Sequence, residues 1–209
     1  MPDMTEIQTL SLSDAASGVM AMAHFSGARQ WVPATSGNFS VRMSASEAAV
    51  TATGADKARL SEAEVIAAAI TGPKHPRASA EAPLHLMRYA TSPQIGAIAH
   101  IHSLPATLLS RRHEKAGVLR LEGWELLKAF SGVTTHEAAL DLPIVPNDQD
   151  TDRLGALVEE RMRVGLNAPG YLIAGHGLYI WGATARDTIR HMDAFDFLLT
   201  AILSEENAR

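Results

Sequence analysis

The sequence feature that most constrains the fold is residues 95–103, an apolar segment that ends in two histidines and is followed by Leu104-Pro105. Its composition predicts a short buried β-strand. Because side chains alternate across a strand, His100 and His102 should share one face and Ile101 the other. Two buried imidazoles need a partner. A divalent metal would serve as that partner; the alternative is one packed histidine and one at the surface.

The composition is that of an ordinary globular protein, and it excludes several classes of function. The 209 residues are 46% hydrophobic and 20% charged, which fits one domain over residues 1–209. A formal net charge of -5 gives no reason to expect nucleic acid or an anionic membrane as partner. No run is long and apolar enough to span a membrane and no secretory signal is recognised, so we expect a cytoplasmic protein. The absence of cysteine excludes disulfides, thiolate zinc sites and cysteine nucleophiles.

A third histidine lies within residues 170–182, where two apolar segments flank Gly175-His176-Gly177. Glycine tolerates positive φ and close backbone approach, so this pattern predicts a hairpin whose turn presents one side chain. A histidine that simply faces solvent is the alternative. Together with His100 and His102, however, the pattern indicates three neutral imidazoles and an open coordination position, which is typical of a catalytic zinc site.

Two glutamates could work beside such a metal. Glu81 lies in the first turn of a helix predicted to begin at Ser79, and Glu125 lies between Trp124 and Leu126. Apolar neighbours can raise the pKa of a carboxyl group, which suits acid and base catalysis near neutrality. The alternative for each is a solvated helix residue.

Small residues that can bind an anion occur in three places: residues 35–38, Thr53-Gly54 and Ser79. Their backbone N–H groups, their hydroxyls and a helix N-terminus all favour negative charge. Neither a P-loop nor a dinucleotide-binding glycine motif is present, so nucleotide binding is unsupported. Ordinary turns are the alternative for each segment.

The rest of the chain predicts helices and strands that interleave, which indicates an α/β or α+β fold with one sheet. The further predicted helices are 11–29 with Ser11 or Ser13 as N-cap, 61–72 opened by a capping box, a segment around 105–111, a short helix or turn at 122–130, Thr151–Val164 capped by Thr151, and one that begins after Thr184. The further predicted strands are one fed by residues 32–43, one at 49–54, and an edge-type strand at 140–146 where proline is tolerated.

These motifs together resemble the class II aldolase/adducin family over roughly residues 12–203. In the family's order, Ser36-Gly37-Asn38 and Thr53-Gly54 match its phosphate loops, residues 78–81 match the start of its Ser-x-Glu helix, and His100, His102 and His176 match its metal ligands. The resemblance implies a three-layer αβα fold with one central mixed, largely antiparallel sheet between helical layers. It also implies a homotetramer with active sites near subunit contacts.

Residues 30–40, 121–128, 143–148 and 176–182 are most similar to dehydratases of that family. This resemblance implies a metal-dependent lyase for a small phosphorylated ketose, with one Zn²⁺, or another divalent ion, per subunit. Glu125 is then the catalytic acid/base, and Glu81 occupies the position of the aldolases' catalytic glutamate. The implied substrate-binding residues are Ser36, Gly37, Asn38, Thr53, Gly54 and Ser79, with Lys57 and Lys128 as additions.

Two alternatives remain open from the sequence. A sugar-phosphate aldolase of the fuculose or rhamnulose type would use the same metal and phosphate groups. In that enzyme Glu81 would carry the proton and a C–C bond would break. A non-catalytic scaffold, like the adducin head domain, would be expected to lose metal ligands, whereas all three histidines are present here. We assign the other histidines, including His191 on the last helix, to packing or surface roles.

Overall fold

The computed structural model describes residues 9–163 and 167–208, and an eight-stranded sheet forms the centre of this part of the chain. The sheet order is β3-β2-β1-β4-β8-β7-β6-β5, and only the β6–β7 pair is parallel. The predicted mixed, largely antiparallel sheet is therefore confirmed. The strands are β1 Asn38–Arg42, β2 Glu47–Thr51, β3 Val65–Ala69, β4 Ala97–Ile101, β5 Val118–Glu122, β6 Ala139–Val145, β7 Gly170–Ile173 and β8 Gly177–Gly182.

Helices cover both faces of the sheet, so the predicted three-layer arrangement is also confirmed. One apolar core joins the sheet to α1, α3 and α5, and a second core joins the opposite face to α2 and α4. No helix in the described part of the chain combines the length and apolarity that a bilayer crossing needs. The helices are α1 Leu12–Ala28, α2 Ala82–Thr91, α3 Leu104–Arg112, α4 Thr151–Met162 and α5 Ala185–Asn207.

Side-chain caps begin the two longest helices as the sequence predicts. The hydroxyl of Ser11 accepts a hydrogen bond from the Asp14 N–H (3.1 Å), which selects Ser11 over Ser13 as the N-cap of α1. The hydroxyl of Thr184 accepts one from the Asp187 N–H (3.1 Å) at the start of α5. Each cap satisfies a helix N–H group that has no partner inside the helix.

The helix predicted for residues 61–72 is wrong. The capping box at Ser61 exists, but it opens only one 3₁₀ turn, Glu62–Glu64, before β3 begins. Val65 faces the α1 core and Ile66 the α2 core, which is the period-two alternation of a strand. Three alanines make the segment a good helix former locally, but pairing with β2 and burial on both faces outweigh that propensity.

The predicted start of α2 is three residues early. α2 begins at Ala82 with Glu81 at the N-cap position, and Ser79 lies outside the helix. The hydroxyl of Ser79 accepts only a long hydrogen bond, 3.4 Å, from the Glu81 N–H. Glu81 therefore lies at the N-cap position of α2 rather than within its first turn.

The predicted edge strand at 140–146 is β6, which lies inside the sheet, because the unpredicted strand β5 pairs with its outer side. Pro143 is compatible with this position because the β6–β7 ladder begins one residue later, at Ile144. The cap of α4 is Asp150 rather than Thr151. The predicted end of that helix, Val164, lies outside the described residues.

A buried ion pair joins α2 to α4 and so fixes the helix that carries Glu81. Nη2 of Arg88 lies 3.2 Å from Oε2 of Glu159, and both side chains are about nine-tenths buried. The hydroxyl of Thr91 donates to the same carboxylate oxygen (2.6 Å). Removal of one member would leave the other charge buried and uncompensated.

We therefore expect Glu159→Ala to lower the free energy of unfolding by about 3–5 kcal/mol. Urea denaturation measures the change, and Glu160→Ala is the matched control because Glu160 is the exposed neighbour on the same helix. Equal destabilisation by both substitutions would contradict a specific role for the buried pair.

Candidate metal centre

The structure brings three histidines together where the C-terminal end of β4 meets the β7–β8 turn. One ring nitrogen each from His100, His102 and His176 lies within 4.8 Å of the others. The ring centroids of His100 and His102 are 4.6 Å apart, and that of His176 lies 4.9 and 4.7 Å from them. Residues 76 positions apart along the chain are thus close enough to share one ion.

Glycines without a Cβ allow the two segments to approach each other this closely. The turn that carries His176 uses a positive φ of +66° at Gly175. A Cβ at Gly177 would lie 2.3 Å from the carbonyl oxygen of Ile101 and 3.0 Å from Cε1 of His100. Any other residue at position 177 would push the turn away from β4.

Burial keeps His100 and His102 uncharged near neutrality. His100 is fully buried, and burial followed by the charges of His102 and His176 holds its pKa well below the usual range. Burial and then His176 lower the pKa of His102 to about 4. We place the ring proton of His100 on Nδ1, from which it can be donated to the carbonyl oxygen of Leu178 (3.3 Å). In this tautomer Nε2 is unprotonated and faces the other histidines. Neutral imidazole is the form that binds metal.

The spacing of two of the nitrogens fits a tetrahedral divalent ion. Nε2 of His100 and Nε2 of His176 are 3.3 Å apart. Two imidazoles bound at about 2.0–2.1 Å in a tetrahedral site have nitrogens roughly 3.3 Å apart. The residues present therefore suit a three-histidine site with one position open to substrate.

Glu81 borders this cluster directly. Its Oε2 lies 3.4 Å from Nε2 of His100, and its Oε1 lies 3.3 Å from Nε2 of His176. The side-chain amide of Asn38 donates to Oε2 (2.8 Å) and orients the carboxylate. A carboxylate in this place can bind the ion or accept a proton from a substrate held there.

The loop before β1 lies against β4, the strand that ends in His100 and His102. Ala34, Thr35 and Gly37 all have positive φ (52°, 64° and 79°), and a Cβ at Gly37 would lie 2.7 Å from the carbonyl oxygen of His100. Nζ of Lys57 donates to the Thr35 carbonyl (2.9 Å). The hydroxyl of Ser36 is buried without a hydrogen-bond partner among the described residues. A buried cation and a free hydroxyl beside this loop suit an anion.

The second predicted anion segment lines a neighbouring cavity of about 280 Å³. Thr53 and Gly54 contribute to its wall, and so does Arg77, whose carbonyl accepts from the Thr53 N–H (2.9 Å). Ser79 is tied to the same region because its N–H donates to the carbonyl of Thr51 (3.1 Å). Sequence reasoning missed Arg77; its place in the polar linker two residues before Ser79 was the available signal.

Glu125 and Lys128 do not join the histidines of their own chain. They lie in the 3₁₀ turn Glu125–Ala129, which follows β5, and the last residue of β5 pairs with the first residue of β6. The histidines lie near the other end of β6, where Val145 pairs with Ile173. Seven strand residues at about 3.3 Å each separate the two ends by roughly 20 Å.

The sequence-based expectation that the pKa of Glu125 is raised is wrong for a single subunit without a partner. The Glu125 side chain is 69% exposed, and a hydrogen bond from Lys128 lowers its pKa. Leu127 points into the core from the same turn, so the apolar neighbours do not surround the carboxyl group. His136, with Nδ1 3.7 Å from the carboxylate, adds a further favourable partner.

Comparison with known proteins identifies the family. The model for the Class II Aldolase and Adducin N-terminal domain matches residues 17–203, so the chain belongs to this family. It is 68% identical over 203 residues to a methylthioribulose-1-phosphate dehydratase from Parvibaculum lavamentivorans, covering 97% of this chain and 100% of that one. A dehydratase of the same name from a Bradyrhizobium species is 45% identical over 203 residues, covering 95% and 94%.

A solved structure shares the fold at low sequence identity. The L-fuculose-1-phosphate aldolase from Thermus thermophilus superimposes with a TM-score of 0.76 at 21% identity, covering 94% of this chain and 97% of the aldolase. The family membership and the class II aldolase-like fold predicted from the motifs are thus confirmed.

The buried neutral histidines predict acid sensitivity of the metal-free protein. The pKa of His102 is about 4 in the folded chain and about 6.5 unfolded, so between these values only the unfolded chain binds the proton. The free energy of unfolding should therefore fall as pH drops below about 6.5, by up to about 3 kcal/mol from this group. Denaturant titrations from pH 7 to 4 measure this free energy. His102→Asn should reduce its slope against pH by the contribution of one proton. An unchanged slope would contradict the assignment.

Proposed function

We propose that the chain is a metal-dependent lyase that dehydrates 5-methylthioribulose 1-phosphate to 2,3-diketo-5-methylthiopentyl 1-phosphate, a reaction of methionine salvage. The observation that carries the proposal is the three-histidine cluster with Glu81 beside it. The names and high identity of the related dehydratases support the choice of substrate.

The metal in this proposal is one Zn²⁺ per subunit, held by His100, His102 and His176. When bound, it would polarise the substrate's C2 carbonyl and stabilise negative charge on that oxygen. Three imidazole ligands accept several divalent ions, so another metal could supply the same chemistry.

The substrate's phosphate would be held by the two small-residue segments beside the cluster. In this proposal the hydroxyls of Ser36, Thr53 and Ser79, the N–H groups of Gly37 and Gly54, and the side-chain amide of Asn38 bind the phosphate oxygens. Lys57, and Arg77 in the wall of the cavity, would supply positive charge. Anchoring C1 in this way would leave C2 to C4 of the sugar beside the histidines and Glu81.

The proton movements then divide between two carboxyl groups. Glu81, adjacent to the cluster, accepts the proton from C3. Glu125, protonated, gives a proton to the C4 hydroxyl, which leaves as water while the C3–C4 double bond forms. The resulting enol moves its hydroxyl proton to C4 and becomes the 2,3-diketone, so that one water is lost overall.

Glu125 would come from a neighbouring subunit of a homotetramer. Its place at the opposite end of the sheet supports this, because the separation within one chain is roughly 20 Å. Burial of Glu125 at a subunit contact would oppose the effect of Lys128 and raise the pKa of the carboxyl group, as a general acid near neutrality requires. Lys128 would arrive beside the site of the partner subunit in the same way.

We expect Glu125→Gln to keep the metal content and to lower turnover by about 10²–10⁴-fold, because an amide cannot donate the acid proton. Metal analysis and a product assay with methylthioribulose phosphate measure both effects. Glu122→Gln is the control, since Glu122 is an exposed carboxylate three residues away. Undiminished activity of Glu125→Gln would contradict its role.

The same assay decides between dehydration and the aldolase alternative. The diketone identifies the lyase proposed here, whereas glycolaldehyde-type fragments would identify cleavage of a C–C bond. The position of Glu81 against the cluster suits either reaction, so the products rather than Glu81 variants make the distinction.

Mixed oligomers test whether Glu125 acts in trans. Glu125→Gln and His176→Ala should each be inactive alone. Co-expressed at equal levels, they should form oligomers in which about a quarter of the sites combine intact histidines with an intact Glu125 of the partner subunit. Activity should therefore recover to about a quarter of the wild-type value. No recovery in verified mixed oligomers would contradict the shared site.

A further inference from the structure

A row of three stacked rings runs from the metal centre across the sheet. Tyr179 on β8 pairs directly with His100 on β4, and their ring centroids are 4.1 Å apart at an interplanar angle of 14°. Tyr171 on β7 pairs with Tyr179 on its other side, at 4.8 Å and 6°. All three residues are at most 1% exposed. We call His100, Tyr179 and Tyr171 the ring row.

The ring of Tyr179 has little freedom to move, and it therefore limits that of His100. One face of Tyr179 lies on His100 and the other on Tyr171, while His85 packs edge-to-face against it at 5.5 Å and 72°. A further restraint on the imidazole is the long hydrogen bond to Leu178 (3.3 Å). Residues that orient a metal ligand in this way commonly matter almost as much as the ligand itself.

Packing alone does not explain why residue 179 is a tyrosine rather than a phenylalanine. The hydroxyl of Tyr179 forms no hydrogen bond that meets normal geometry within the described residues. A buried hydroxyl without a partner costs about 1–3 kcal/mol, a penalty that phenylalanine would avoid while making the same ring contacts. Glu81 lies beside the same imidazole on which Tyr179 stacks, with its Oε2 3.4 Å from Nε2 of His100. The phenolic O–H is a donor and the Glu81 carboxylate is an acceptor, so the two groups can pair.

We propose that Tyr179 is a positioning residue of the metal centre, whose ring fixes the plane of the His100 imidazole and whose hydroxyl holds the Glu81 carboxylate towards the histidines. The inference rests on the proposed function, because it assumes that the cluster binds a metal. Tyr179 thus links His100 on the sheet to the carboxylate of Glu81 at the N-cap position of α2. It contacts neither substrate nor metal in this role.

The contribution of the ring is tested by metal affinity rather than by activity. Co²⁺ is titrated into metal-free protein in competition with a chelator, and its absorption bands report the ligand geometry. Tyr179→Leu should weaken Co²⁺ binding by about 10–100-fold and alter the bands, because His100 is no longer held. Tyr179→Phe keeps the ring and should leave the bands unchanged. Thermal melts of the metal-free proteins show whether each variant is folded.

The contribution of the hydroxyl is tested by a double-mutant cycle. Tyr179→Phe should lower kcat about tenfold with little change in KM, since about 1.4 kcal/mol of hydrogen bonding to Glu81 is lost. In a protein that already carries Glu81→Gln, the Tyr179→Phe substitution should have no further effect on kcat, because the two residues act as a pair. Tyr171→Phe is the matched control, since it removes the other buried hydroxyl of the ring row; it should match wild type in Co²⁺ affinity and kcat.

The outcomes separate this inference from the proposed function. If the wild-type protein binds no Co²⁺, the metal centre itself is wrong, and this inference fails with it. If the wild type binds Co²⁺ and a folded Tyr179→Leu binds it equally well, the role of the ring is overturned while the metal centre stands. If Tyr179→Leu does not fold, Tyr179→Phe decides: additive effects with Glu81→Gln overturn the link between Tyr179 and Glu81.

Discussion

The burial of His100 as a neutral imidazole is the constraint on which the rest of the site depends. A fully buried ring needs partners for both nitrogens. The sheet supplies one through the Leu178 carbonyl, and the other nitrogen must face a ligand or another polar group. Gly37 and Gly177 both lie so close to the end of β4 that a Cβ on either would clash. The backbone around His100 is therefore built to admit the turn that carries His176 and the loop before β1.

Regular elements, rather than long loops, hold the candidate site together. Two of the histidines come from the end of β4 and one from a tight turn, while Glu81 stands at the N-cap position of α2. The Arg88–Glu159 pair fixes α2 against α4, so a contact remote from the histidines still sets where that carboxylate lies. Sites built on such elements keep their geometry better than sites on mobile segments.

The sequence could predict features that depend on local geometry, and it failed where distant pairing decides. Strand alternation predicts that His100 and His102 share one face, and the glycines around His176 predict a turn. In contrast, β3 was predicted as a helix because its alanines favour one locally, while pairing with β2 on the finished sheet decides otherwise. Trp124 and Leu126 suggested an apolar setting for Glu125, but neighbours in sequence do not reveal which side of a turn faces solvent.

The position of Glu125 gives the proposed assembly a chemical purpose. Under the proposed function, one chain supplies the three histidines for the metal, the loop for the phosphate and the Glu81 carboxylate, so it could bind substrate and remove the C3 proton. Among the described residues the proposed acid is far from the histidines, because Glu125 lies at the far end of the sheet and is kept ionised there by Lys128. Elimination of water would then depend on subunit contact, which both delivers the carboxyl group and removes it from solvent. Metal binding and turnover should therefore be separable properties of this fold, the first belonging to the chain and the second to the oligomer.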